Sequence, residues 1–207
     1  MNIFQIKTQP EGIERVSSFI KESFICIGYS ELDDLTNKDK DEIREEIREK
    51  YNCDGSKLGN HLGNVNAFVN TMKNGDIVLI TENDWVYIGR VGDYKYDSSN
   101  NEWGTFHRRS VQWICKTLKH QLNEYVRELL RNRSIITKFK HPVDIAELDE
   151  LLSKGNNDLS NNTCNVDEDI VEKALNVLIN ALDSDNEEIR VRSAIGLLKY
   201  SKFNLKK

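Results

Sequence analysis

The stretch from Gly75 to Ile114 constrains the fold more than any other part of the chain. Its apolar and aromatic residues alternate with polar ones in successive short runs, which is typical of β-strands that bury one face. The chain's three tryptophans, Trp85, Trp103 and Trp113, all lie in this stretch. The pattern predicts a sheet of sequence-neighbouring strands at 77–80, 85–91, 94–96 and 106–114, with a turn at Gly92-Asp93.

Helices and further strands are predicted on both sides of this stretch. Short apolar runs predict strands at 2–8, 24–29 and 135–139. Apolar residues at helical spacing predict helices at 13–20, from a cap at Thr36 or Asn37 to Tyr51, and at 64–72, 121–131 and 143–152. The predicted fold class is therefore α+β.

The composition changes after residue 153, which divides the chain. An Asn-rich segment at 154–165 reads as a linker between a domain of residues 1–153 and a helical hairpin at 166–207. The hairpin sequence ALDSDNEEIRVRSAIGLL resembles half of a HEAT repeat, and such a unit cannot bury its own apolar face. We expect a homodimer through 166–207. The alternatives are docking on the first domain and binding of an effector protein.

Charge is distributed unevenly along a chain whose formal net charge is −5. Residues 1–54 and 142–207 each carry a net −5, whereas residues 55–141 hold 13 Lys and Arg against 8 Asp and Glu, a net of +5. A basic middle between acidic flanks indicates an anion-binding surface, although a random fluctuation of surface charge would look the same. The overall acidity argues against a protein that coats DNA without preference.

Several classes of protein are excluded by what the sequence lacks. There is no apolar run long enough to cross a membrane, and the first residues do not resemble a signal peptide. The four cysteines, Cys26, Cys53, Cys115 and Cys164, lack metal-site spacing and predict a reducing, cytoplasmic setting. No nucleophile, phosphate-binding or deaminase motif occurs. We therefore expect a non-catalytic protein without a cofactor or metal.

The middle region resembles the PUA-like superfamily, which includes the EVE and ASCH groups. The similarity is carried by the ordered segments GDIVLI, WVYIGRV, DYKYD and HRRSVQW, preceded by FICIGYSELDDL and NAFVNTMKNGD, and it covers roughly residues 1–150. More narrowly, it is similar to the N-terminal accessory domains of Mrr-like and other modification-dependent restriction enzymes. The resemblance implies a small mixed β-barrel with flanking helices that binds a nucleobase, often modified or flipped.

Eight residues of the predicted strands are candidates for the ligand site. They combine stacking faces with fixed positive charge, as a base with an attached phosphate requires. These residues are Trp85, Tyr87, Tyr94, Tyr96, His107, Arg108, Arg109 and Trp113.

Alternation along the strands ranks these candidates. Trp85 and Tyr87 share one strand face, and the opposite, aliphatic face is the expected core. Tyr94 and Tyr96 are the favoured aromatic pair. Adjacent strand residues face opposite ways, so only one of the two arginines is expected in the pocket. For each single aromatic ring, packing in the core is the favoured alternative to a place in the pocket.

The function that these features favour is recognition of a nucleobase in nucleic acid, as a sensor in bacterial or phage defence. The defence setting follows from the resemblance alone. Two alternatives remain open at this point. One is a binder or sponge of a small cyclic or modified nucleotide, and the other is a protein-interaction adaptor that acts through its helical hairpin.

Overall fold

The computed structural model describes residues 1–99, 104–154 and 168–204. It forms two compact units, residues 1–160 and residues 161–207, which are described separately. Trp103 and the predicted linker after Lys154 lie outside the described residues.

Six strands form one curled, mixed sheet in the first unit. They are β1 (Ile3–Ile6), β2 (Phe24–Ile27), β3 (Ile77–Glu82), β4 (Trp85–Tyr96), β5 (His107–Leu118) and β6 (Ile136–Lys138). Their order across the sheet is β2-β5-β4-β3-β1-β6. Only β1 and β3 pair in parallel among the described strands, and the other neighbouring pairs are antiparallel. The α+β prediction is confirmed, and β2 and β6 are the two edge strands.

Strand β4 is continuous where the sequence predicted a turn at Gly92-Asp93. The register against β5 shifts between Val91 and Tyr94, so Gly92 and Asp93 form a bulge. A second shift lies beside Gly89, where an added Cβ would come within 2.4 Å of a Val111 methyl group. The predicted turn is wrong because β5 keeps pairing with β4 beyond the bulge.

Apolar layers cover both faces of the sheet, whereas the sequence predicted a core on the aliphatic face alone. The larger layer joins the sheet to the first three helices, and Tyr87 and Tyr94 pack against it. The smaller layer contains Val86 and Ile88 and lies beneath the later helices. Both faces are buried because helices flank the sheet on each side. An aromatic residue opposite the aliphatic face can therefore pack in the core, and its position alone does not make it a ligand residue.

The helices of this unit differ from the sequence predictions mainly in where they begin. They are α1 (Val16–Lys21), α2 (Lys40–Tyr51), α3 (Gly55–Asn66), α4 (Glu124–Arg131) and α5 (Asp149–Lys154). Asp39, rather than Thr36 or Asn37, caps α2, and it forms a reciprocal capping box with Glu42. The predicted helix at 64–72 is only the end of α3 and the π-helical turn Ala67–Thr71 that follows it.

Arg109 fastens that π-helical turn to the sheet. Its side chain is buried, and its guanidinium donates to the carbonyl oxygens of Phe68, Val69, Met72 and Gly92 at 2.8–3.0 Å. Backbone carbonyls at a helix C-terminus carry partial negative charge and have no partner within the helix. Arg109 therefore satisfies the end of the turn and the bulge of β4 with one side chain.

The second unit contains α6 (Glu168–Ala181) and α7 (Glu187–Asn204). The two helices pack closely at Gly196, whose position leaves 3.3 Å between an added Cβ and a Leu178 methyl group. The Asn186 side chain accepts from the backbone amides of Glu188 and Ile189 in the first turn of α7. Large apolar side chains on both helices remain exposed, including Val177, Val191 and Leu198.

We expect Arg109→Met to lower the free energy of unfolding by about 3 kcal/mol or more, because it leaves several buried carbonyl groups without donors. Urea denaturation followed by tryptophan fluorescence measures this in the first unit. The exposed Arg131→Met serves as the control and should change stability by less than about 0.5 kcal/mol. Equal stabilities for the two variants would contradict the structural role of Arg109.

Candidate functional site

A cleft of about 190 Å³ opens between the two edge strands of the sheet. One wall is formed by the end of β2 and the residues after it, Cys26 to Tyr29, and the other by Lys7 and Ile135. Residues 9–11, Tyr51 at the end of α2 and His61 of α3 complete the lining. We call this the edge cleft.

Three aromatic rings surround the edge cleft. The rings of Tyr51 and His61 are stacked, with centroids 5.7 Å apart and planes 22° from parallel. Tyr29 meets both rings edge to face, at 5.8 and 5.5 Å. Its hydroxyl lies 3.2 Å from His61 Nδ1 and accepts from the Asn64 side-chain amide at 3.5 Å. The arrangement presents flat apolar surface beside hydrogen-bonding groups, which is what a planar polar ligand needs.

The backbone on one side of the edge cleft is held in an unfavourable conformation. Tyr29 and Glu11 have φ angles of +77° and +53°, which bulky side chains rarely adopt. The Glu11 carboxylate accepts from the backbone amides of Tyr29 and Ser30, at 2.9 and 3.2 Å. An added Cβ at Gly28 would lie 2.9 Å from Glu11 Oε1, so a side chain there would push the carboxylate away from these amides. Such local strain is concentrated at functional sites in proteins, so it supports a role for this cleft.

The aromatic groups of the edge cleft are neutral near pH 7. Burial raises the pKa of Tyr51 to about 12 and also raises the pKa of Tyr29. Burial, assisted by the nearby Lys57, lowers the pKa of His61 below its usual range. Lys7 supplies a cation at the rim, and burial and the Lys119 ammonium lower its pKa. The edge cleft thus combines an uncharged aromatic set with two charged groups, the Lys7 ammonium and the Glu11 carboxylate.

Three of the sequence-predicted residues lie together on β4 and β5. Trp113 is buried and donates from its indole nitrogen to the Phe19 carbonyl at 2.9 Å. Tyr87 meets the Trp113 ring edge to face and bonds to Glu82 at 2.9 Å. Trp85 is half-buried, with the Lys116 ammonium 4.9 Å from its ring centroid. None of these three lines the edge cleft.

Tyr94, Tyr96 and His107 form a second group at the far end of the same strands. His107 is fully buried, and its Nδ1 lies 2.8 Å from the Tyr94 hydroxyl, which also accepts from the Leu35 amide. Tyr96 stacks on Phe106 with centroids 5.8 Å apart. The rings of this favoured pair therefore contact protein groups, and neither ring lines the edge cleft.

The two arginines of the predicted site both have protein partners. Arg108 donates to the Thr105 carbonyl and hydroxyl at 2.7 and 2.6 Å and lies over the Phe24 ring. Arg109 and Tyr94 line a separate depression of about 260 Å³. The Arg109 guanidinium is committed to four carbonyl oxygens there, so a ligand phosphate would have to displace them.

The residues that line the edge cleft were missed in the sequence for identifiable reasons. The sequence predicts Tyr29 as the end of a strand and Tyr51 as the last residue of a helix. His61 lies in the middle of α3, where Gly55, Gly59 and Gly63 obscure the helix. The spacing of Leu58, Leu62 and Val65, at i, i+4 and i+7, was the available signal.

The described residues contain neither a candidate metal cluster nor a candidate membrane-spanning helix. No cluster of three or more His, Cys, Asp or Glu side chains could hold a metal ion within the described ranges. Among the helices of the same ranges, none has the length and apolarity that a membrane span requires.

Comparison with known families identifies the first unit. The chain is an α+β protein with a curled mixed sheet and an aromatic cleft between the sheet edges. Residues 6–138 match the model of the family described as Domain of unknown function (DUF8426), which is more than half of the chain. The chain therefore belongs to this family, and every residue that lines the edge cleft falls within the match. No curated protein matches the sequence.

We expect the free energy of unfolding to fall as the pH drops below about 6.5. Burial lowers the pKa of His107, opposed in part by the backbone carbonyls of Tyr29 and Leu32, so the unfolded chain binds a proton before the folded one. Chemical denaturation at pH 7.5 and 5.5 measures this, and His107→Gln should reduce the difference. The exposed His120→Gln should leave it unchanged. An unaltered pH dependence in His107→Gln would count against this assignment.

Proposed function

We propose that the first unit recognises a single flat base, of a nucleotide or of nucleic acid, in the edge cleft. The observation that carries this proposal is the neutral aromatic set of Tyr29, Tyr51 and His61 around a cleft of about 190 Å³. A volume well below that of drug-sized pockets suits one base rather than a larger cofactor.

Stacking is the main interaction that the edge cleft offers to a base. Tyr51 and His61 present nearly parallel rings, and stacking on an aromatic side chain contributes about 1–3 kcal/mol for each base. The hydroxyl and imidazole groups of the set, with the Lys7 ammonium at the rim, supply hydrogen bonds to the ring edge or an attached phosphate. These groups support recognition of the base edge as well as its face.

The biological role that we propose is a sensor in bacterial or phage defence, acting by recognition rather than catalysis. It rests on the resemblance to PUA-like domains of modification-dependent restriction enzymes, and the bound base could then be a modified or flipped one. We place this role in the cytoplasm. The buried, unpaired thiols of Cys26, Cys53 and Cys115 are consistent with a reducing compartment.

A binder of a small nucleotide signal is the second candidate, because the same cleft would hold the base of a free nucleotide.

An adaptor role is favoured by the second unit instead. Val177, Val191 and Leu198 are 66%, 51% and 65% exposed, so α6 and α7 leave apolar surface that a partner could cover. We propose that this surface forms a homodimer, since two-fold dimers are the commonest symmetric assemblies.

The base-binding proposal is tested with paired tyrosine variants of the full chain. Tyr51→Ala should weaken binding of nucleoside monophosphates and short oligonucleotides by about 1–3 kcal/mol, roughly 5- to 150-fold, through loss of the stacking face. Titration calorimetry measures the affinity, and thermal unfolding reports any loss of folding. His61→Ala should weaken binding in the same direction.

Tyr96→Ala is the matched control, because it removes a partly buried tyrosine at the end of β4 that does not line the edge cleft. Binding to this variant should equal that of the parent protein. If Tyr96→Ala or Tyr94→Ala abolishes binding while Tyr51→Ala retains it, the ligand site lies on the strands that the sequence indicated. The edge cleft would then be a structural feature only.

The dimer proposal predicts that a chain ending at Lys154 remains folded and binds its ligand, but is monomeric. We expect the shortened chain to be monomeric because removing α6 and α7 removes the exposed apolar surface. Light scattering on the full and shortened chains measures the mass of each. Identical oligomeric states would rule out assembly through 166–207 and favour binding of a different protein.

A further inference from the structure

The positive charge of the middle region is concentrated on one segment. Residues 116–141 hold seven Lys and Arg against two Asp and Glu, a net of 7 − 2 = +5, whereas residues 55–115 hold six of each. The whole excess of the basic middle thus belongs to the end of β5, α4 and β6. It does not belong to the aromatic stretch of β4 and β5 where the sequence had placed the anion site.

Four of these cations are exposed around the end of α4 and the edge strand β6. They are Arg131, Arg133, Lys138 and Lys140, which we call the basic face. Across the described parts of the chain, no carboxylate forms an ion pair with any of the four. Exposed like charges repel one another, so this arrangement favours an anionic partner.

An exposed aromatic ring accompanies the basic face. Tyr125 is 48% exposed, and its ring centroid lies 4.9 Å from that of His141. Both residues line a small depression of about 90 Å³ together with Lys138, Lys140 and Glu128, whose carboxylate is the acidic group there. Basic groups interleaved with stacking rings are typical of surfaces that bind single-stranded nucleic acid.

The basic face lies close to the edge cleft along the chain. The Lys7 ammonium at the cleft rim donates to the Leu130 carbonyl of α4 at 3.5 Å. Ile135 lines the cleft, and Arg133 is only two residues before it. Lys138 lies three residues after Ile135, a span of about 10 Å along an extended chain. A strand with one base in the cleft would therefore have neighbouring phosphates within reach of the basic face.

We propose that the basic face binds the phosphodiester backbone of a nucleic-acid strand whose base occupies the edge cleft. This inference rests on the proposed function and deepens it, because it assigns the ligand to a polymer rather than to a free nucleotide. A lipid surface fits less well. Within the described part of 116–141, Tyr125 is the one large apolar side chain that is exposed, and interfacial binding needs an apolar face.

The test uses the full-length protein and a fluorescein-labelled 12-nucleotide strand of mixed sequence, as DNA and as RNA. Anisotropy titrations from 50 to 300 mM salt give the dependence of affinity on salt. K138Q/K140Q should weaken binding about tenfold or more at low salt and reduce the log–log slope by about 1.4, since each lost phosphate contact removes about 0.7. K21Q/K40Q removes the same charge from exposed positions elsewhere and should bind as the parent does.

Each outcome decides between the two proposals. If neither strand binds the parent protein at 50 mM salt, or if K138Q/K140Q keeps the parent's affinity and slope, the basic face is overturned. Loss of strand binding in Tyr51→Ala alone supports the edge cleft without the basic face. Loss in K138Q/K140Q, with unchanged binding in Tyr51→Ala, supports the basic face and counts against the cleft. Binding of phosphatidylserine vesicles in place of both strands also overturns the inference.

Discussion

The failure of the sheet to close on itself is the constraint on which the rest of the first unit depends. Strands β2 and β6 are its two edges, and they do not pair with one another. Unpaired backbone groups at a buried edge are costly unless another group satisfies them. Helix α3 supplies one such group, because the Asn64 side chain accepts from the Ile136 amide at 3.4 Å and donates to the Tyr29 hydroxyl. The edge cleft is the space that remains between these edges.

Helix α3 must be held in position against the sheet for this arrangement to persist. It continues into the π-helical turn, and Arg109 fixes the carbonyl end of that turn to β5 and to the bulge of β4. A buried guanidinium is tolerable here because backbone dipoles replace its lost hydration. The same residue that the sequence suggested as a phosphate ligand therefore acts through the scaffold. It keeps His61 and Asn64 at the cleft without touching it.

The sequence was informative where structure is local. The alternation of residue types located β3, β4 and β5, because successive side chains of a strand point to opposite faces of the sheet. It failed at Gly92-Asp93, where a dipeptide typical of turns forms a bulge whose stability comes from pairing with β5. It also missed the edge cleft, because Lys7, Tyr29, Tyr51, His61 and Ile135 meet only when distant segments pack together. The charge excess was averaged over too long a segment, so it was assigned to the aromatic stretch of β4 and β5 rather than to residues 116–141.

The proposed function depends on a base that lies against Tyr51 and His61. The most direct measurement is an NMR experiment on the ligand-bound protein that detects nuclear Overhauser contacts between base protons and aromatic side-chain protons. We expect contacts from the base to the rings of Tyr51 and His61, with none to Trp85, Tyr94 or Tyr96. Contacts to those strand aromatics, with none to Tyr51 or His61, would contradict it.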